Sequence, residues 1–167
     1  MKTASESEDG HYDWTRASRS RIVGCSAPDR ASFAEFRYLN TDEREYSTPQ
    51  GIYDLHCGLE HVLLTWTGPE YLFHMLKHNA GALIPDEGLS MLRYFTLGDW
   101  HTHNEYAHLT NEDDGDIKLF VADFDTLRRT ACQECREEMT GEECDQLWED
   151  HYSLIVAKYG LLAALKW

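Results

Sequence analysis

Basic residues are scarce in this chain. Lys and Arg together number 15 against 30 Asp and Glu in 167 residues, a formal net charge of -15. So acidic a chain is poorly suited to nucleic acid, whose phosphates need cationic partners. It is equally unsuited to the anionic face of a membrane. The charge favours solubility or a basic protein partner. Long apolar runs are also missing, so no segment is expected to span a bilayer. Strand signals do not extend beyond a few residues, and there is no internal repeat. The opening MKTASESEDG is acidic and polar, unlike a signal or transit peptide. The five cysteines are an odd number. Without a secretory signal they suggest free thiols in a reducing compartment. The expected location is intracellular, in the cytoplasm or within an organellar assembly.

What is present reads as a folded, helical protein. The hydrophobic fraction of 42% and aromatic fraction of 12% are those of a globular chain. The length suits one domain with a real core. Residues 1–12 are expected as a flexible acidic tail and residues 13–167 as one all-α domain. Residues 14–24, WTRASRSRIVG, are locally basic and read as a surface loop or strand. Pro49 and Gly51 punctuate the entry to residues 52–66, where Tyr53, His56, Cys57, Glu60, Leu63, Leu64 and Trp66 predict a buried helix. A second helix is predicted at 69–78, with Pro69 suited to its start. A third begins at Pro85 and turns Leu89, Leu92 and Phe95 inward. Leu97-Gly98-Asp99 reads as a loop. Residues 111–116, NEDDGD, read as an acidic turn too short and irregular for calcium. Residues 116–138 predict a helix burying Ile117, Phe120, Val121, Phe124 and Leu127. Thr140 with Glu143 makes a capping box. It opens a last helix that runs to about Tyr159 and is expected to bury Leu147, Tyr152, Leu154, Ile155 and Tyr159. Gly160 breaks it, leaving an apolar tail that needs a cover.

Several groups could carry chemistry. Cys132-x-x-Cys135, with Cys144 and His151 downstream, has spacing suited to zinc. The bland alternative is two cysteines one helical turn apart, facing core or solvent. His101-x-His103 with His108 is a weaker metal candidate, more simply structural or exposed. Cys57 beside His56 makes a poor nucleophilic dyad, because neighbours on a helix point in different directions. The acidic run from Glu134 to Asp150 is most simply a solvated face, and it could also dock a basic partner.

One stretch carries more information. Tyr46-Ser47-Thr48, Gly51, Tyr53, His56-Cys57-Gly58-Leu59-Glu60, Val62-Leu63 and Trp66 resemble the central motif of myo-inositol oxygenase. Further matches include Trp14, Val23-Gly24-Cys25, Glu70-Tyr71, Lys77, Asn79, Pro85, Glu87 and Met91-Leu92-Arg93. They continue through Trp100-His101-Thr102, Tyr106, Tyr152, Ile155, Lys158-Tyr159 and Trp167. The resemblance implies the helical fold of the HD-domain type. It also implies a family chemistry in which two irons and dioxygen cleave inositol to glucuronate.

The same resemblance implies that the iron site is degraded. Only the C-terminal half of the enzyme is matched, and no His-Asp dipeptide occurs in the sequence. Two family histidine ligands fall on Gly68 and Phe95. The family's late Asp ligand falls on or beside Arg128, with Asp125 one helical turn away. Gly-Asp-Thr of the family meets Ser18-Arg19-Ser20, its substrate-binding Lys falls near Cys132, and Thr96 keeps the hydroxyl of a family Ser. His56 is implied to be structural and bonded within the core. The expectation is a non-catalytic remnant with no catalytic, cofactor or metal residue, serving as a structural or interaction subunit. Other protein subunits would cover the face that half a domain exposes. The alternatives are one half of a split di-iron oxygenase completed by a partner chain, and a small zinc-binding module.

Overall fold

A computed structural model describes residues 19–29, 34–39, 41, 46, 48–134, 139–162 and 164–165. The predicted acidic tail lies outside them. The described residues are helical, with one isolated antiparallel β-bridge between Ile22 and Leu64. Among them, no helix is long and apolar enough to cross a membrane.

Helix α1 spans Gly68–Lys77 and α2 spans Asp86–Tyr94. Pro69 lies in the first turn of α1, where a missing N–H costs nothing. Asp86 and Glu87 lie in the first turn of α2, against the positive end of its dipole. The short α3, Gly98–His101, forms where a loop was expected. Helix α4 spans Glu112–Glu134. The supposed acidic turn is its start: the Asn111 side chain accepts from Asp114 N at 3.0 Å, and Asp114 accepts from Asn111 N at 2.9 Å. This reciprocal cap satisfies donors that the first turn would otherwise leave bare.

The last helical run comprises α5, Gly141–Leu147, one wide π turn at Trp148–Tyr152, and α6, Ser153–Lys158. The Thr140–Glu143 capping box is present as predicted. Gly160, at φ +69°, ends the run. A Cβ there would lie 1.9 Å from the Gly81 carbonyl oxygen, so only glycine lets the chain pass.

The predicted helix over 52–66 is absent. In its place the backbone is an extended strap with a single 3-10 turn at Leu59–His61. His56 N donates to His108 O at 2.9 Å and Gly58 N to Leu109 O at 2.8 Å. Donors committed to residues 108 and 109 cannot close helical turns. Gly58 permits the strap by taking φ +91°, close against the Asn111 side chain. The buried Tyr53 then pins its two ends, donating to Val23 O and accepting from Leu63 N at 3.2 Å.

The main core gathers Leu59, Val62, Leu97, Trp100, Leu109 and Val121, all nearly sealed from solvent. A second cluster joins Phe73, Met75, Leu76 and Leu89, with Leu161 and Leu165 of the tail packed on it. Two predicted burials fail. On α4, Val121 is buried and Ile117 and Phe124 half-buried, but Phe120 and Leu127 face solvent. On the last run, Leu147, Tyr152, Leu154 and Ile155 are all exposed, and only Tyr159 is half-buried.

Candidate functional site

Three segments that are far apart in sequence meet at the junction of α1, α2 and α4. Residues 19–20 cross over the end of α2, where the N–H groups of Arg19 and Ser20 both donate to Thr96 O, at 3.0 and 3.1 Å. Ser20 is fully buried. Its hydroxyl lies 2.6 Å from the Thr96 hydroxyl and 3.4 Å from that of Thr67, the residue before α1. The Ser20 hydroxyl therefore bridges those of residues 67 and 96. Gly68 and Phe95 are the chain neighbours of Thr67 and Thr96.

Phe95 fills its surroundings with apolar surface. Its ring meets Phe124 edge-on at 5.6 Å, and the Arg128 guanidinium lies over it at 5.3 Å. Beside Phe124 stands Asp125, the one buried acid in the middle of α4. Both its oxygens are taken: Arg128 Nη2 reaches Oδ1 at 2.9 Å and Arg129 Nη2 reaches Oδ2 at 2.6 Å. Burial alone would raise this carboxyl. The two guanidinium groups, Arg129 foremost, outweigh that and hold it below the usual carboxylate range. His101 completes the neighbourhood, with Nε2 at 3.1 Å from Phe95 O. Burial lowers its pKa despite the opposing pull of that carbonyl and of Asp125.

A second polar centre lies on the other side of α2. Arg93 makes a bidentate pair with Glu70, at 2.8 and 3.0 Å, with both side chains nearly sealed from water. The same guanidinium reaches Tyr94 OH at 2.9 Å and Val62 O at 3.2 Å, and it lies 4.7 Å from the Phe73 ring centre. The pair clamps α1, α2 and the strap together. It also borders a cavity of about 300 Å³ lined by Lys77, Asp86, Ser90 and Asp113. The Asp125 cluster does not line that cavity.

The family described as myo-inositol oxygenase matches residues 7–165. The chain belongs to the myo-inositol oxygenase family. The inositol oxygenase of Dictyostelium discoideum is 34% identical over 113 residues, covering 66% of this chain and 38% of that protein. That of Mus musculus is 33% identical over 118 residues, covering 69% and 41%. That of Homo sapiens is 30% identical over 118 residues, again 69% and 41%. The chain thus spans about two-fifths of the length of these relatives.

Within the family frame, positions implied as lost ligands are neighbours in space. Phe95 and Arg128 touch, and Gly68 follows Thr67 of the Ser20 bridge. The buried acid at this point is Asp125. Asp125 is surrounded by guanidinium groups and apolar surface. Each Asp125 oxygen already accepts from a guanidinium group, so a cation there would meet two positive charges, and the adjoining Phe95 cannot ligate. Among the described residues, no three His, Cys, Asp or Glu side chains are grouped to hold a metal.

The remaining candidates are dispersed. His56 is structural, its Nδ1 lying 2.9 Å from Thr110 O, but it sits at the exposed rim rather than in the core. His108 Nε2 lies 2.8 Å from Pro49 O. Cys144 and His151 are exposed, two turns apart on the last run. Cys135 and the side chain of Cys132 lie outside the described residues. Sequence reasoning missed the Glu70–Arg93 pair and the Ser20 hydroxyl bridge. Glu70 and Arg93 both belong to the matched motifs, but 23 residues separate them and no helical period links them.

Proposed function

We propose that this chain is a non-catalytic member of the myo-inositol oxygenase family that serves as a structural or interaction subunit. The observation that carries the reading is the closed state of Asp125. One carboxylate between two guanidinium groups leaves a local charge of about +1, the wrong sign for binding a metal cation. Apolar filling by Phe95 and the absence of a side chain at Gly68 support the same reading. Anaerobic addition of ferrous iron, followed by oxygen-electrode assays with myo-inositol, tests it. No inositol-dependent oxygen uptake is expected from the chain, and sustained uptake would refute the proposal.

A second reading is one half of a split di-iron oxygenase completed by a partner chain. It is favoured by the survival of Asp125 and by the open space at Gly68, where an added Cβ meets nothing within 4 Å. It requires a partner that supplies the missing His and His-Asp ligands and draws Asp125 away from its arginines. Inositol-dependent uptake that appears only when the two chains are mixed would decide for it.

A further inference from the structure

The run from Gly141 to Lys158 carries an apolar strip that the chain leaves open. Leu147, Trp148, Tyr152, Leu154 and Ile155 are all exposed along it, through and just beyond the wide turn at Trp148–Tyr152. Trp148 is 48% exposed, Tyr152 47% and Leu154 68%. The run is anchored at its C-terminal end. There Leu83 N donates to Tyr159 O at 2.9 Å, and Leu161 and Leu165 pack on the Phe73–Leu89 cluster. Anchoring at one end leaves the aromatic middle free to be covered from outside.

The edges of the strip say what could cover it. At about 100° per residue over α5, Glu142 and Asp145 follow one edge of the Leu147–Trp148 surface and Glu143 the other, and Glu149 and Asp150 lie beside Trp148 in the wide turn. From residue 140 to residue 157 there is no Lys or Arg. An apolar centre between two acidic rims complements an apolar centre between two basic rims. A second copy would set acid against acid, and an anionic bilayer would repel the rims.

We infer that this helix docks a basic amphipathic helix of a partner protein, with Trp148 and Tyr152 as apolar anchors and the flanking carboxylates pairing its Lys and Arg. The inference rests on the reading of the chain as an interaction subunit and names the surface and the partner chemistry. Aromatic residues at the centre of a protected strip are the usual carriers of interface energy.

The test titrates the full chain into a fluorescently labelled amphipathic Leu/Lys helical peptide and, separately, a Leu/Glu peptide of the same pattern, at low and high salt. Binding of the Leu/Lys peptide that weakens with salt is expected, with no binding of the Leu/Glu peptide. Trp148→Ala with Tyr152→Ala, and separately Asp145→Lys with Glu149→Lys, should each weaken it roughly tenfold or more. Circular dichroism checks that both variants keep their helix content, as exposed positions should. Equal binding of both peptides, or unchanged affinity in either double variant, would overturn the inference. So would a dimer seen by sedimentation that Trp148→Ala dissolves. Iron retention measured on the same samples reports separately on the non-catalytic reading, so either can fail alone.

Discussion

Replacing Glu70 by Ala isolates what the buried ion pair contributes. The wild-type Arg93 guanidinium makes two charge-assisted bonds to Glu70, at 2.8 and 3.0 Å, with side-chain exposures of 6% and 4%. In the variant, Arg93 keeps only Tyr94 OH, the carbonyls of Val62 and Leu59, and two aromatic faces. None of these carries a full negative charge. Leaving a buried charge uncompensated costs about 3–5 kcal/mol. That is about a fifth or more of a typical domain stability of about 5–15 kcal/mol. At roughly 2–4 °C per kcal/mol for a chain of this size, the melting temperature should fall by about 6–20 °C. Glu70→Leu combined with Arg93→Met removes both charges and should recover most of the loss. Urea unfolding of the wild type, both single variants and the double variant measures the cycle. A loss below about 1 kcal/mol for Glu70→Ala would place the pair with weak surface bridges and refute its role as the clamp between α1, α2 and the strap.

Acid should destabilise the protein in two steps of one sign. His101 and Asp125 both have folded pKa values below their unfolded ones. Each therefore contributes stability that is present above its unfolded pKa and lost as pH falls through the folded value. The His101 contribution should fade below the ordinary imidazole value of 6.5, and that of Asp125 only below the ordinary carboxyl value of 3.8. Chemical denaturation across that range follows both, and Asp125→Asn should remove the more acidic step. Gly58→Ala should cost about 1–3 kcal/mol in thermal unfolding, because φ of +91° and contact with Asn111 both oppose a Cβ. Gly68→His should be tolerated, with an unchanged midpoint, since the space there is open. Peptide-resolved thiol labelling should find Cys144 modified quickly and Cys25 slowly. Cys144 is exposed, whereas burial pushes the Cys25 thiol up to about 11.

Locally encoded features were legible in the sequence. The capping box at Thr140, the Pro69 start of α1 and the acidic start of α2 each depend on residues a few positions apart. The strap at 52–66 was not, although its apolar spacing imitates a helix. Its geometry depends on Gly58 at positive φ and on acceptors about fifty residues downstream, which no local period reveals. The last run shows the opposite ambiguity. An amphipathic stripe states that a face is apolar, not whether the same chain covers it. At Asp125 the sequence offered two registers one helical turn apart. In the fold Arg128 lies over the Phe95 ring, and Asp125 pairs with Arg128 and Arg129. The hydroxyl bridge from Ser20 to Thr67 and Thr96 joins positions up to 76 residues apart and had no signal before folding.

The central claim is that Asp125 is satisfied by Arg128 and Arg129 and is not a metal ligand in this chain. Elemental mass spectrometry after anaerobic loading with ferrous iron and gel filtration tests it most directly, on the wild type and on Asp125→Asn. The account predicts the same sub-stoichiometric iron in both proteins. Stoichiometric iron in the wild type that Asp125→Asn abolishes would contradict it.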